Sequence, residues 1–147
     1  MPLKPPPRDS DDKVLPHDHQ GIGATDGLIR RVHNLQTVHD EKINGRRLSS
    51  LVFKASSDAN AGMSVDLQTQ IEEAGLDTKL YVTTPKWVGS IRFTAGDVRG
   101  LCFQVGYSPT LDNPHHGEVW GKYTNERQKK LRACCTWLVP IKGVEIG

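Results

Sequence analysis

Leu101-Cys102-Phe103-Gln104-Val105-Gly106-Tyr107 is the stretch that decides the fold, because apolar side chains recur in it at every second position. Successive side chains of an extended chain point to opposite faces. Leu101, Phe103, Val105 and Tyr107 therefore read as the buried face of a half-covered strand, with Cys102, Gln104 and Gly106 on the other. Gly96-Asp97 and Gly100 punctuate the chain just before it. Further strands are expected at Lys79 to Thr84, Trp87 to Phe93 and Gly117 to Trp120, so the second half reads as a meander.

The same signals continue in both directions. Leu28-Ile29-Arg30-Arg31-Val32-His33 reads as a short strand, followed by polar residues with a turn at Asn44-Gly45. Ser49 to Lys54 reads as a strand with Leu51 and Phe53 on one face. A polar loop is expected at Ser56 to Gly62, then a short strand at Met63-Ser64-Val65. Asp66 is placed to cap a helix with the stripe Leu67, Ile71 and Ala74, ended by a left-handed Gly75 and the apolar Leu76. From Asn125 the period becomes helical. Asn125 and Gln128 resemble a capping box, Leu131, Cys134, Cys135 and Leu138 form the buried stripe, and Glu126 and Lys130 take the i,i+4 spacing. The expectation is an α+β domain over 26–147, a mostly antiparallel sheet with two helices and no internal repeat.

Met1 to Thr25 is rich in Pro, Asp and Gly, and reads as a flexible, disordered tail because it offers little apolar surface to offset its ordering entropy. Pro5-Pro6-Pro7 favours a preformed extended helix suited to docking or linking. The 147 residues suffice for one hydrophobic core, and a net charge of +2 gives no argument for nucleic-acid binding by itself. No run approaches the roughly 18 apolar residues of a membrane span. The N-terminal residues lack the apolar segment of a secretory signal. Three cysteines, two of them adjacent, make no disulfide framework, so a reducing cytoplasm is expected.

Asp112-Asn113-Pro114-His115-His116-Gly117-Glu118 is the densest group of titratable side chains. If the chain is extended there, His116 shares a face with Glu118 and Trp120, which places an acid/base candidate beside an aromatic wall. The plain alternative is a solvated loop. His17-Asp18-His19 with His115-His116 raises a metal site, but two of those histidines fall in the expected tail. Cys134-Cys135 would diverge on a helix, and neither C-x-x-C nor H-E-x-x-H occurs. No metal or cofactor is therefore expected, and the helical cysteines read as core residues. Arg30, Arg31, Arg46 and Arg47 form two basic pairs able to hold phosphate, with Lys129, Lys130 and Arg132 adding a basic face on the last helix.

Arg46-Arg47-Leu48-Ser49-Ser50-Leu51-Val52-Phe53, Gly62-Met63-Ser64-Val65, Ile91 to Leu101 and Asp112-Asn113-Pro114-His115-His116 resemble a family of small uncharacterised bacterial proteins. That family runs R-x-S-S-x-x-F, L-S-V, V-x-x-V-G-x-V and N-P-x-H. The resemblance covers about Leu28 to Trp137. It implies a bacterial origin, a defence or toxin–antitoxin setting and no assigned activity. Its N-P-x-H histidine falls on His116, and Glu118 has no counterpart in it. A fainter similarity is to ADP-ribosyltransferase-like toxins, through Arg31 or His33, Ser64 and Glu118 in that order. It implies an arginine on the phosphates of a nicotinamide dinucleotide and a glutamate on the ribose or acceptor hydroxyl.

With no complete catalytic constellation in view, the leading expectation is a cytosolic module that docks a protein partner. The alternative is an enzyme acting on a nucleotide or nucleic acid through Arg31, Ser64, His116 and Glu118, with Arg30, Arg46 and Arg47 on phosphate. The two part on whether Arg31, Ser64 and His116 meet in one cleft.

Overall fold

Strand β1 (Gly27–Val32) runs through the middle of the sheet, and its alternation sets the two faces. Leu28 and Val32 point into the main core, while Ile29 and Arg31 point the other way. The computed structural model describes residues 2–56 and 61–147; positions 57–60 of the expected polar loop lie outside the described residues. β1 is flanked by β4 (Met63–Leu67) and β5 (Gly89–Thr94), both antiparallel to it. β7 (His116–Trp120) adds to β4, β6 (Gln104–Tyr107) to β7, and β8 (Thr136–Val139) to β5. The order β6-β7-β4-β1-β5-β8 is antiparallel throughout. A second, three-stranded sheet pairs β2 (Thr37–Asp40) with β3 (Gly45–Leu48), and β3 in parallel with the short β9 (Val144–Glu145).

Four helices complete the α+β architecture, two more than the sequence pattern suggests. α3 (Ala95–Gly100) and α4 (Asn125–Cys134) lie on the core side, where Val98 and Leu131 are fully buried with Phe53, Phe93 and Val119. α1 (Gln68–Glu73) and α2 (Thr78–Val82) lie on the opposite face, packing Ile71 and Val82 on Ile29. The helices cover only part of that second face, and the cleft described below opens on its uncovered polar part.

Several local expectations are corrected by tertiary contacts. Ser49–Lys54 is not a strand: Ser50–Phe53 forms a 3-10 turn capped by Ser49, whose hydroxyl accepts from the Leu51 amide. Val52 and Phe53 are both buried, and adjacent residues of a strand cannot share a face. The segment after Lys79 is α2, started by the Asp77 carboxylate accepting from the Leu80 amide. Asp66 ends up in β4 instead of capping α1. Thr124, one residue before the expected Asn125, caps α4 by accepting from the Arg127 amide. α4 stops at Cys134, so Cys135 is its buried C-cap and Leu138 belongs to β8. The Glu126–Lys130 pair forms at 3.1 Å, and Gly75 takes the left-handed conformation (φ 78°).

The segment expected to be a tail is held against β6 over its second half. The His19 amide donates to the Val105 carbonyl (2.8 Å), and the Val105 amide donates to Asp18 Oδ1 (2.9 Å). Arg99 clamps Asp18 and the carbonyls of His19 and Ile22, and Ile22 itself sits in the core at 1% exposure. His17 fills the space left by Gly106, where a Cβ would collide with Trp120 and with His17. A segment poor in apolar residues needs only one well-placed isoleucine when a sheet edge supplies the hydrogen bonds.

Candidate functional site

Register on the second face brings the polar side chains together. β4 pairs β7 with Asp66 opposite His116 and Ser64 opposite Glu118, and β1 pairs β4 with Ile29 opposite Asp66. Arg31, two residues on from Ile29, reaches diagonally to Asp66, so one face of three adjacent strands carries Arg31, Ser64, Asp66 and His116. They line a cleft of about 300 Å³, closed by Trp87 on one side and Asn113 on another.

Its floor is a fixed ion pair. Arg31 Nε and Nη2 donate to the two Asp66 oxygens at 2.8 and 3.0 Å, and Asn113 Nδ2 donates to Asp66 Oδ1 at 2.8 Å. The Asn113 carbonyl oxygen accepts from Tyr81 Oη (2.5 Å) and from the His115 amide (3.1 Å). Burial first, and the Asp66 carboxylate second, raise Tyr81 above the ordinary phenol value, which keeps its hydroxyl a donor. The Arg31 guanidinium lies over the Tyr81 ring at 5.7 Å, and His115 packs edge-on against that ring at 5.4 Å. Asp66 is only 3% exposed. These three donors satisfy a carboxylate that burial would otherwise leave without partners.

His116 is held differently. Its Nδ1 lies 2.7 Å from the Ser108 carbonyl, an acceptor, so Nδ1 carries the proton. The neutral imidazole then presents Nε2 as a lone pair, and that atom has no hydrogen-bond partner among the described residues. His17 and His19 contrast with it. His17 donates from Nδ1 to the Leu15 carbonyl and accepts at Nε2 from the Tyr107 amide; His19 pairs through Nε2 with the Lys4 carbonyl and through Nδ1 with the Gly21 amide. Both are structural. Ser64 is exposed and makes no side-chain hydrogen bond among the described residues. It stands diagonal to His116 across the strand pair, and diagonal neighbours sit roughly 7–8 Å apart at Cα. The two therefore form no preassembled nucleophile–base couple, and the space between them is open to a ligand atom or water.

Of the other residues singled out in the sequence, Glu118 faces the same way as Ser64 but its carboxylate accepts from the Gly62 amide at 3.3 Å and does not line the cleft. Arg30 points into the core side, donating to the carbonyls of Val52 and Ser64 at 3.0 Å each, and burial lowers it from the ordinary guanidinium value. It also borders the cleft, but its Nε and Nη1 are committed to these carbonyls. Arg46 is tied to Thr37, and Arg47 to Asp40 at 3.1 Å, both on the second sheet and away from this cleft. His33 stacks edge-on against Trp87 at 5.6 Å, outside the lining. Asp66, Tyr81 and Trp87 are the members given no site role from the sequence, and Asn113 entered only as part of the N-P-x-H motif. Asp66 was within reach, since a strand read on to Leu67 puts it on the face of Ser64 by its two-residue spacing.

Among the described residues no group of three or more His, Cys, Asp or Glu side chains is arranged to hold a metal ion, and no helix is long and apolar enough to cross a membrane. No protein-family model matches the chain, and neither a curated protein nor a solved structure matches it.

Proposed function

We propose that the protein is an enzyme acting on a substrate of mononucleotide size, with His116 as its general base. The observation that supports this reading is the meeting of Arg31, Ser64 and His116 in one cleft, with His116 Nδ1 held by the Ser108 carbonyl and Nε2 without a hydrogen-bond partner among the described residues. Histidine is the commonest side chain in that role, and its efficiency depends on an orienting bond at the other ring nitrogen. Ser108 supplies that bond here. In the reading, Nε2 removes a proton from water or a substrate hydroxyl lying between it and Ser64. Arg31, whose Nε and Nη2 are spent on Asp66, donates from Nη1 to the oxygen on which negative charge develops. Trp87 gives a planar ring an apolar wall.

A cleft of about 300 Å³ is at the small end for ligand sites, which favours a mononucleotide or nucleoside over a dinucleotide or a polymer. A cleft with a donor, a base and an apolar wall supports an enzyme over a docking module. We place the chain in a reducing compartment, in keeping with three cysteines that are all unpaired.

The test is a panel of nucleosides and nucleoside monophosphates, followed by tryptophan fluorescence and by product analysis. Arg31→Met, His116→Ala and Trp87→Phe accompany the native chain, each checked by thermal unfolding. His116→Ala should retain binding and lose turnover by about 10²–10⁴-fold, the usual worth of a positioned base. Binding of none of the panel, or turnover untouched in His116→Ala, would return the protein to the docking class.

A further inference from the structure

A second group of cations meets on the other side of the domain, and none of them belongs to the His116 cleft. Arg47 of β3 and Arg132 in the last turn of α4 both donate from Nη1 to one acceptor, the Leu48 carbonyl, at 3.2 and 2.8 Å. Two guanidinium groups are thus anchored to the same oxygen. Arg132 is further fixed by a second Nη1 bond to the Ile146 carbonyl and by stacking on Phe53, with Cζ 4.7 Å from the ring centroid. Burial, and then the neighbouring Arg47, lower Arg132 from its ordinary value, the expected result of crowding like charges.

What these anchors leave free is informative. All the Arg132 bonds to the chain use Nη1, so its Nε and Nη2, the side-on edge that grips an oxyanion in two places, have no partner among the described residues. Arg47 spends Nε on Asp40 and Nη1 on Leu48, leaving Nη2. α4 adds Lys129, which makes no ion pair or hydrogen bond among the described residues, and the turn adds the Ser50 hydroxyl. On α4, positions 125, 128, 129 and 132 share one polar face, and that face forms a wall of a cavity of about 440 Å³ opposite Ser50 and Arg47. Asp40 is the single carboxylate side chain in the lining, and it already pairs with Arg47; Gly147 also lines the cavity, beside Arg132 and Arg47.

We propose that this cavity is a phosphate-binding site, taking a dianionic phosphate group between Arg47, Lys129 and Arg132. The Arg132 edge binds two of its oxygens, Lys129 and Arg47 Nη2 neutralise the remaining charge, and Ser50 donates to one oxygen. The volume leaves room for more than phosphate alone, so free phosphate and the phosphate of a small ester are both sources of the same chemistry. The site is independent of the reading given to the His116 cleft.

The experiment uses the full chain with inorganic phosphate and, separately, adenosine 5′-monophosphate, against chloride at matched ionic strength. Amide chemical shifts locate binding and titration gives its strength. Phosphate should shift the amides around Ser50, Lys129 and Arg132 in a saturable way. Lys129→Glu should weaken binding by about tenfold or more, since it turns a free cation into a repelling carboxylate. Arg47→Gln is the second variant, and Lys129 is exposed with no ion pair or hydrogen bond among the described residues. His116→Ala should leave phosphate affinity unchanged. Read from the shifts around Ser50, Lys129 and Arg132, tighter binding of the nucleotide than of phosphate would assign the source as an ester, and equal or weaker binding as the free ion; both uphold the site. Absence of saturable shifts, shifts confined to the His116 cleft, or shifts that persist undiminished in both variants would overturn it.

Discussion

Asp66→Ala tests the reading of the polar face most directly. Asp66 accepts two hydrogen bonds from Arg31 and one from Asn113 while only 3% exposed. Removing one partner of a buried ion pair costs about 3–5 kcal/mol, because the other charge is left uncompensated. The Arg31 side chain keeps 24% of its surface in solvent, so water replaces part of what it loses and the lower end, about 3 kcal/mol, applies. In a chain of this size each kcal/mol moves the melting temperature by about 2–4 °C, so the midpoint should fall by about 6–12 °C. Arg31→Met alone should cost a similar amount, leaving a buried carboxylate with Asn113 as its donor. Arg31→Met with Asp66→Leu should restore most of the loss, since an apolar replacement of the whole pair is often close to neutral. Thermal unfolding of the native chain, the two single variants Asp66→Ala and Arg31→Met, and the double variant measures this directly. A drop under about 2 °C for Asp66→Ala, or a double-variant loss equal to the sum of two large single losses, would refute the account of Asp66 as the hub of the face.

Three further outcomes are expected. Ile22→Ala should destabilise the fold by about 2–4 kcal/mol, and the His19 amide should resist hydrogen exchange; a neutral substitution with fast exchange would show a free tail. Thiol labelling should take the exposed Cys102 first and Cys135 last, because Cys135 is buried and burial pushes its thiol up to about 12. The same shift predicts loss of stability at alkaline pH. The unfolded thiol releases its proton near about 8.5 and the folded one holds it to about 12, so the folded state binds more protons within that window and stability falls as pH rises through it. Cys135→Ala should flatten that part of the pH profile, and an unchanged slope would remove the thiol from the explanation.

Where the sequence could be read correctly, the deciding interactions are local. β1, β5 and β7 follow alternation of side chains, and α4 follows a helical period supported by Glu126–Lys130. Ser49–Lys54 and Lys79–Thr84 were misread because short apolar runs look alike as strands or single helical turns, and a cap settles them. Ser49 and Asp77 are those caps. Asp66 shows the same ambiguity: a carboxylate ahead of an amphipathic run suits a helix start, and only the guanidinium of Arg31 from another strand makes it a buried ion.

The site divides along the same line. Arg31, Ser64 and His116 were visible as residue types with useful chemistry on strands of their own. That they share one cleft depends on β4 lying between β1 and β7, an order set by long-range pairing that no local pattern encodes. Tertiary structure also decided which basic residues are available. Arg30 and Arg31 are neighbours in sequence, yet strand alternation commits one to the backbone carbonyls of Val52 and Ser64 and the other to the Asp66 carboxylate. Arg47 acquires a companion 85 positions away because both guanidiniums seek the Leu48 carbonyl. The sequence by itself determined the class of the fold and the chemical groups on hand, since both follow from side-chain periodicity and type. Which groups face one another was decided only by the pairing of strands distant in the chain, because register fixes the face of every residue at once.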